Sequence, residues 1–420
     1  MFLNNLIKDN PALIEASLKL HRDGQIPPNA YVYDLDMIAK NAKALAAGAQ
    51  ENGLQTYLMT KQFNRNPFVA QVALKQGLRK TVAVDIMDAK LLKRFKVPVG
   101  HIGHLSQIPF HDVAAALAMK PDVMTVYSVD AAERISNVAK EMNVVQDILI
   151  KVVDKGNAFF PGQESGIWID SLIEMAKKIQ MLRNIRIAGA TAFPCITYNV
   201  DGPKEIEPTA NFHTLIEAVK LLKKELGVEV KQINAPGNTS SVTFPQFAKM
   251  GATHVEPGHG LTATTPEHIY KNDLPETCAS LYVSEISHHF GEKAYAFGGG
   301  LYVCMAGGPK GYEVRALAGN SYPELLNNVM SWDQVSRDNI DYYGMLTPGD
   351  QCKVGDTVIF GFRPQAFVTR AHTAVISGIS EGKPVLEGVF DSMSNMLDID
   401  YNPLPVQEVI RKIDETLKKY

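Results

Sequence analysis

A lysine at the end of a short apolar stretch is the first residue of this chain that could do covalent chemistry. Residues 56–60 combine β-branched and aromatic side chains, which predicts a strand, and Lys61 follows directly. After a turn-rich loop, Asn66 and Pro67 can begin a helix as its N-cap and its first residue. α/β barrels keep their chemistry at the carboxyl ends of strands, where an apolar setting frees a lysine amine for Schiff-base formation. An ordinary surface lysine is the alternative.

Two glycine-containing turns, in residues 234–241 and 256–262, supply what a phosphate group needs. Each follows a predicted strand at a place where barrels commonly bind phosphate, since glycine lets backbone N–H groups converge and hydroxyls add donors. The turn residues that we expect to contact a cofactor are Gly237, Asn238, Thr239, Ser240, Gly258, His259, Gly260 and Leu261. Opposite a strand-end lysine, these turns predict a phosphate-bearing carbonyl cofactor that forms an imine with Lys61, and pyridoxal phosphate fits that description.

The composition argues against several classes of protein. With 420 residues and 45% hydrophobic content, the chain can form one large domain and a smaller one. A net charge of −3 with interspersed signs argues against nucleic acid or an anionic membrane as a partner. The 4 cysteines are scattered without a C-x-x-C pair, and no apolar run reaches the roughly 20 residues of a membrane span. We therefore expect a cytoplasmic protein.

Strand-like and helix-like segments alternate from residue 56 to about residue 270. The predicted strands are 56–60, 81–84, 98–103, 122–127, 147–153, 185–191, 230–234 and 253–256. Segments of helical periodicity lie between them, for example 110–118, 131–142, 171–181 and 212–226. Eight strands that alternate with helices predict an α/β fold, the (β/α)8 TIM barrel.

From residue 279 the pattern changes to short strands separated by Gly- and Pro-rich turns. The predicted strands are 279–286, 294–297, 302–305, 356–360, 367–376 and 385–390, and a helix follows at 405–419. This pattern predicts a C-terminal all-β domain, and the early strand 30–34 is expected to pair with it. The expected organisation is an N-terminal segment of helices and a strand (1–52), a cofactor-binding barrel (53–275), the β domain (276–400) and a C-terminal helix (401–420).

The order of these parts resembles the fold-type III pyridoxal-phosphate proteins, which include alanine racemase and the eukaryotic-type ornithine and diaminopimelate decarboxylases. The resemblance covers nearly the whole chain, and residues 101–105, HIGHL, resemble a strand-3 signature of small cofactor-binding relatives. The chain also resembles the YhfX group of alanine-racemase-like proteins. The resemblance implies pyridoxal 5′-phosphate as cofactor, carried by Lys61.

Further roles follow from the resemblance, position by position. The segment from Gly258 to Leu261 matches the one that wraps the phosphate, and Gly237 to Ser240 match its partner loop. Glu256 matches the glutamate that faces the pyridine nitrogen in the decarboxylases, where alanine racemases have arginine. A salt bridge at the barrel mouth is the alternative role for Glu256. Tyr57 and His104 are expected to be cofactor contacts.

The sequence also departs from the family pattern. Phe193 replaces a ring-stacking histidine, so it can stack but cannot hydrogen-bond. Residues 151–156, KVVDKG, are similar to a racemase run whose following arginine is missing here. Ala366 and Val368 occupy the positions that hold metal ligands in the D-threonine aldolase and D-serine dehydratase branch. We therefore expect no metal.

A second acid or base is less well defined than the lysine. Tyr302 and Cys304 lie in a segment that resembles the first long strand of the family's β domain, and either could reach a site. Both residue types are also common in cores without any reactive role. A β domain of this kind would leave an apolar face uncovered, which predicts a homodimer with shared sites.

The leading prediction is a pyridoxal-phosphate enzyme that acts at the Cα of an amino acid or amine, as a racemase, decarboxylase or lyase. Lys61 would serve as the base or acid once substrate has displaced it. Two alternatives stay open. One is a cofactor-binding or homeostasis protein without turnover, and the other is a lysine-dependent aldolase that uses no pyridoxal phosphate.

Overall fold

The computed structural model describes residues 2–199, 205–271, 273–303, 313–333 and 339–420. Its strands are β1 (Ala30–Asp34), β2 (Gln55–Met59), β3 (Lys80–Val82), β4 (Val99–Ile102), β5 (Val123–Val126), β6 (Gln146–Val153), β7 (Ile167–Trp168), β8 (Ile185–Thr191), β9 (Ile196–Tyr198), β10 (Ile206–Pro208), β11 (Gln232–Asn234), β12 (His254–Val255), β13 (Ser280–Phe290), β14 (Lys293–Phe297), β15 (Arg315–Gly319), β16 (Val329–Asp333), β17 (Tyr343–Thr347), β18 (Thr357–Phe360), β19 (His372–Ser377), β20 (Val385–Phe390) and β21 (Met396–Leu397).

Its α-helices are α1 (Phe2–Asp9), α2 (Pro11–Arg22), α3 (Leu35–Glu51), α4 (Pro67–Lys75), α5 (Ile86–Arg94), α6 (Val113–Ala118), α7 (Val129–Glu141), α8 (Leu172–Gln180), α9 (Ala210–Leu226), α10 (Phe244–Met250), α11 (Glu267–Tyr270), α12 (Tyr322–Asn327) and α13 (Val406–Thr416). The chain folds as two compact units. The barrel unit comprises Ala44–Thr60 and Gly77–Gly258, and the sheet unit comprises Met1–Lys43, Lys61–Gln76 and His259–Tyr420.

In the described part of the barrel unit, eight parallel strands close into a barrel in the order β2, β3, β4, β5, β6, β8, β11, β12, with β12 paired back to β2. The two-residue strand β7 pairs with β6 in addition. Parallel strands with helices outside and side chains inside are buried on both faces, so their sequences are mostly apolar. β5 is an example, because all four of its residues are buried. This confirms the predicted TIM barrel, and each predicted barrel strand overlaps an observed one.

The backbones of β8 and β11 approach each other closely at one position of this barrel. Gly189 in β8 pairs with Gln232 in β11, and a Cβ built on Gly189 would lie 1.7 Å from the Gln232 carbonyl oxygen. Its φ of +154° also lies outside the range that side-chain-bearing residues favour. The strands β8 and β11 can therefore pair in this register only because residue 189 is glycine.

The sheet unit is built on a ten-stranded sheet in the order β14, β17, β16, β15, β18, β13, β1, β19, β20, β21, with an additional pairing between β14 and β13. β1 lies between β13, to which it is antiparallel, and β19, to which it is parallel. All five residues of β1 are buried, so both faces of this strand are covered as well as both edges. This arrangement confirms the predicted C-terminal antiparallel β domain.

The start of α4 agrees with its sequence signals. The Asn66 side chain accepts hydrogen bonds from the backbone N–H groups of Phe68 and Val69, and Pro67 is the first helical residue. Asn66 also donates to the Thr373 hydroxyl at 3.1 Å, so the cap joins α4 to β19 within the sheet unit.

The predicted strands of the β domain agree less well with the structure. The expected strand 302–305 is described only up to Val303, which forms a single bridge to Pro364. The expected strand 367–376 begins later, at His372, because Ala366–Val368 form a 3-10 turn. The strands β15, β16 and β17 were not predicted. Among the described helices, none combines the length and the apolar character that crossing a membrane requires.

Candidate active site

The centre of the barrel interior holds an ionisable residue, Glu256, which directly follows β12. Its Oε1 atom lies 2.8 Å from the His101 Nδ1 atom and 2.9 Å from the Asn234 amide nitrogen. Its Oε2 atom is buried and has no hydrogen-bond partner in the part of the chain that the structure describes. A buried oxygen of this kind normally has a donor, so the site fits a ligand that brings an N–H group.

The surroundings of Glu256 keep it ionised. Burial raises the pKa of its carboxyl, but the positive charge of His104 and the hydrogen bond and charge of His101 outweigh it and lower the pKa to about 2. The Asn234 amide acts in the same direction. At neutral pH the carboxylate can therefore stabilise a positively charged N–H group opposite Oε2.

An aromatic row extends from this carboxylate toward the loops. The His101 ring lies 5.3 Å from the His104 ring, and the His104 ring meets Phe193 edge to face at 5.9 Å. Phe193 is half-buried, follows β8 by two residues and lies 5.8 Å from Phe160. The structure thus places two predicted site residues, His104 and Phe193, in contact with each other inside the barrel unit.

Tyr57 lies at the other end of the barrel interior. Its hydroxyl contacts Asp122 Oδ2 at 3.3 Å and accepts a hydrogen bond from Gln232 at 3.0 Å. Asp122 precedes β5 and Gln232 opens β11, so this hydroxyl is at the amino ends of the strands. Only the ring of Tyr57 approaches the site, at 5.8 Å from the His101 ring. A role for Tyr57 as a direct cofactor contact stays a prediction.

The first predicted phosphate loop, residues 237–240, follows β11. A Cβ on Gly237 would lie 2.9 Å from the Ile196 backbone nitrogen, so glycine permits the loop to lie against that backbone. Thr239 donates through its hydroxyl to the Gly237 carbonyl at 3.2 Å, and the Ser240 backbone N–H donates to the Thr243 hydroxyl at 3.0 Å. Thr239 and Ser240 are buried, and Asn238 is half-buried.

The second predicted phosphate loop begins at Gly258, the last residue of the barrel unit, and continues in the sheet unit as His259, Gly260 and Leu261. All four residues are buried. His259 bonds through Nδ1 to the Thr264 hydroxyl at 2.9 Å, and its carbonyl accepts the Thr264 backbone N–H. Its Nε2 atom is buried without a hydrogen-bond partner in the described ranges.

Lys61 lies two residues after β2 and opens a 3-10 helix, Lys61–Phe63. Within the sheet unit, burial and the positive charges of Arg363 and Lys61 hold the pKa of His259 well below its usual range. This places the predicted lysine and the second loop in one electrostatic neighbourhood. β2 and β12, the strands that precede Lys61 and His259, are paired neighbours in the barrel, where the Met59 N–H donates to the Pro257 carbonyl at 2.8 Å.

Of the two residues predicted as a second acid or base, the structure describes only Tyr302. Tyr302 is 55% exposed and lies at the start of the segment after β14. Cys304 lies outside the described residues. A role for either residue as an acid or base stays a prediction.

Sequence reasoning missed a second lysine, Lys151 of β6, whose side chain is fully buried. Its amine donates to the Ser165 hydroxyl at 2.8 Å and lies 4.8 Å from the centre of the Tyr127 ring. Burial lowers the pKa of this amine to about 8, although the charge of Glu256 opposes the shift. The structure therefore adds a buried amine with a lowered pKa to the barrel interior.

Three more polar residues of the barrel interior were also missed as site residues, namely His101, Thr125 and Asn234. All lie in buried parallel strands, which are normally apolar. A polar side chain in such a strand is a usable signal, because it must find partners inside the barrel.

No cluster of three or more His, Cys, Asp or Glu side chains that suits a metal ion occurs among the described residues, which are 2–199, 205–271, 273–303, 313–333 and 339–420. The absence of a metal stays a prediction.

Two family profiles match the chain. The profile of the alanine racemase N-terminal domain matches residues 33–266. The profile of the YhfX-like C-terminal domain matches residues 281–386. The first of these alone spans more than half of the 420 residues.

Among curated proteins, the chain is 40% identical over 397 residues to the uncharacterized protein YhfX of Escherichia coli (strain K12), covering 94% of this chain and 100% of that one. A solved structure of D-threonine aldolase from Filomicrobium marinum superposes with a TM-score of 0.65 at 12% identity, over 87% of this chain and 95% of that one. Alanine racemase of Clostridium difficile 630 in complex with cycloserine superposes with a TM-score of 0.59 at 16% identity, over 87% of this chain and 98% of that one. These two structures share the fold.

Proposed function

We propose that this chain, which belongs to the family of YhfX-like proteins with an alanine racemase N-terminal domain, is a pyridoxal-phosphate-dependent enzyme acting at the Cα of an amino acid or amine. The observation that carries the proposal is the buried, ionised Glu256, whose Oε2 atom has no hydrogen-bond donor among the described residues. A carboxylate in this state suits the protonated ring nitrogen of a pyridine. Pyridoxal 5′-phosphate supplies, when bound, an electron sink for breaking a bond at Cα.

Lys61 is the residue that we assign to covalent attachment and proton transfer. It follows β2, the strand next to the one that leads to Glu256, so both residues come from the carboxyl ends of neighbouring strands. Its amine would bind the aldehyde carbon of the cofactor and, once displaced by substrate, would move a proton at the substrate Cα. The positive charges of Lys61 and Arg363 near His259 also suit an anionic ligand.

The two loops after β11 and β12 are assigned to the phosphate. Gly237 to Ser240 and Gly258 to Leu261 are buried or half-buried turns, and the first of them carries the hydroxyls of Thr239 and Ser240. Buried donors of this kind bind an anion without a charged side chain. His104 and Phe193 are in edge-to-face contact in the barrel unit, and Phe193 can pack on a planar ring.

The reaction class within this proposal is a racemisation, a decarboxylation or a lyase reaction. A carboxylate at position 256 keeps the ring protonated and strengthens electron withdrawal from Cα, whereas an arginine there would not. Glu256 therefore favours decarboxylation or elimination over racemisation of the alanine type. The homodimer and the second acid or base stay predictions, and Lys151 joins Tyr302 and Cys304 as a candidate for the latter because burial lowers its pKa.

The direct test is borohydride reduction of the purified protein after addition of pyridoxal 5′-phosphate, followed by peptide mass mapping. We expect the pyridoxyl group on Lys61. Lys151 is the internal control, since it is a second buried lysine with an amine that is partly neutral at pH 8. Modification of Lys151 in place of Lys61, or no modification of either, would refute the assignment. A screen of D- and L-amino acids for product then separates an enzyme from a protein that only binds the cofactor.

Glu256→Gln is expected to slow the step at Cα by roughly 10- to 100-fold. A charge-assisted hydrogen bond contributes about 1.5–3 kcal/mol, and about 1.4 kcal/mol corresponds to one decade in rate. Cofactor affinity should change less, because the phosphate loops are untouched. Single-turnover absorbance with a reactive amino acid measures the rate in both proteins. Equal rates would mean that Glu256 is structural and that the preference against racemisation lacks support.

A further inference from the structure

His101 and Glu256 form a buried pair in the barrel interior that no sequence signal assigned. The His101 side chain is 0% exposed and the Glu256 side chain is 1% exposed, and Nδ1 lies 2.8 Å from Oε1. His101 comes from β4 and Glu256 follows β12, so the contact crosses the inside of the barrel. A contact of this length between fully desolvated groups constrains both side chains.

The neighbouring groups define which atoms carry protons. An ionised Oε1 can only accept, so Nδ1 of His101 must donate to it. The Asn234 amide lies 3.0 Å from Nδ1 and 2.9 Å from Oε1, and because Nδ1 already bears a proton the amide donates to Oε1. On the other side of the ring, the Thr125 hydroxyl lies 2.6 Å from Nε2 and can donate to it. These contacts favour the tautomer with the proton on Nδ1.

We propose that His101 is a positioning residue, which with Asn234 occupies Oε1 of Glu256 and thereby orients the second oxygen, Oε2, toward the ring nitrogen of the bound cofactor. Thr125, whose hydroxyl lies 2.6 Å from Nε2, holds the His101 ring in the orientation in which this is possible. The part of the proposal that concerns the cofactor rests on the proposed function. The pairing of His101 with Glu256 does not, because it exists within the chain itself.

A buried carboxylate that loses a donor becomes costly, which makes the pair measurable without cofactor or substrate. Removing the donor of a buried ionised carboxylate is strongly destabilising, whereas neutralising that carboxylate as well relieves the penalty. His101→Leu should therefore increase the unfolding equilibrium constant of the apo-protein by about 100- to 1,000-fold when residue 256 is glutamate. The same change should have an effect of less than about 10-fold in a Glu256→Gln background.

The experiment is a double-mutant cycle on the apo-protein, measured by urea unfolding of wild type, His101→Leu, Glu256→Gln and the double variant. Additive effects would overturn the proposal. His101→Asn and His101→Gln form a matched pair that covers the case in which the leucine variant does not fold. The amide nitrogen of asparagine lies near the position of Nδ1 and that of glutamine near Nε2, so we expect asparagine to restore most of the stability and glutamine to restore little. Equal behaviour of these two variants would also overturn it.

A second readout separates this inference from the proposed function. The visible absorption spectrum of added pyridoxal 5′-phosphate should change in the same direction in His101→Gln and Glu256→Gln, and His101→Asn should resemble wild type. If the cycle shows coupling but no variant and no wild type binds the cofactor, the proposed function and the cofactor part of this inference are wrong, and the pairing stands. If the cofactor binds and its spectrum is identical in all variants, His101 has no positioning role toward it.

Discussion

Replacing Lys61 by alanine is expected to lower turnover by at least about 1,000-fold and to abolish the borohydride-stable link to the cofactor. The magnitude follows from the loss of a positioned nucleophile and proton-transfer group in one step. The fold should survive, because Lys61 is only partly buried and belongs to a 3-10 helix of three residues, Lys61–Phe63. The measurement is the rate of product formation, together with the mass of the reduced protein.

Lys178→Ala is the matched control for this change. Lys178 lies on α8 and pairs with Glu174 at 2.7 Å in an exposed ion pair, so its removal should leave activity and stability nearly unchanged. Retention of more than one tenth of the activity in Lys61→Ala, or of a reducible adduct on the variant, would assign the attachment to another amine. A far-ultraviolet circular dichroism spectrum like that of wild type shows that the loss is chemical.

Gly189→Ala is expected to destabilise the barrel by at least about 4 kcal/mol or to prevent folding. The added methyl group would lie 1.7 Å from the Gln232 carbonyl oxygen, a backbone atom that is held in the pairing between β8 and β11. Neither strand can retreat without loss of that pairing or of the pairing between β8 and β6. Urea unfolding monitored by circular dichroism measures the free energy of unfolding.

Gly227→Ala is the control for this change, because it imposes a left-handed backbone on alanine without a steric clash. Gly227 ends α9 with a φ of +62°, and a Cβ built there meets no atom within 4 Å. This variant should lose about 1 kcal/mol, the usual cost of a left-handed residue with a side chain. If both glycine variants lose the same amount, the contact at Gln232 relaxes easily and the close approach has no structural importance.

The barrel was predictable because its strands carry a strong local signal. Segments such as residues 147–153 are apolar, short and flanked by helical periodicity, and each such strand was found close to its expected position. The sheet unit was harder. β15 has the sequence Arg-Ala-Leu-Ala-Gly, whose alanines and leucine favour helix, and it becomes a strand because β16 and β18 pair with it on either side. Pairing with strands that are distant in the sequence therefore outweighs the helix propensity of these residues.

The candidate site was predictable only where chain order was enough. Lys61, Glu256 and the two loops follow strands directly, so a correct strand assignment placed them at the carboxyl ends. The partners of Glu256 could not be derived in that way, because His101, Thr125 and Asn234 meet only when the barrel closes and selects which side chains point inward. The low pKa of the Lys151 amine has the same origin, since burial by the closed barrel produces it.

The position of β1 has a consequence for how this protein can be made. β1 and β13 pair although they are roughly 250 residues apart along the chain, and closing so long a loop carries an entropic cost and slows folding. During synthesis, β1 therefore waits without its neighbours until the entire barrel and β13 have been translated. A fragment that begins after β1 would present the edges of β13 and β19 to solvent, and exposed edges of buried strands pair with other chains. The C-terminal strands therefore cannot be expressed as an independent domain unless the N-terminal segment that contains β1 is supplied with them.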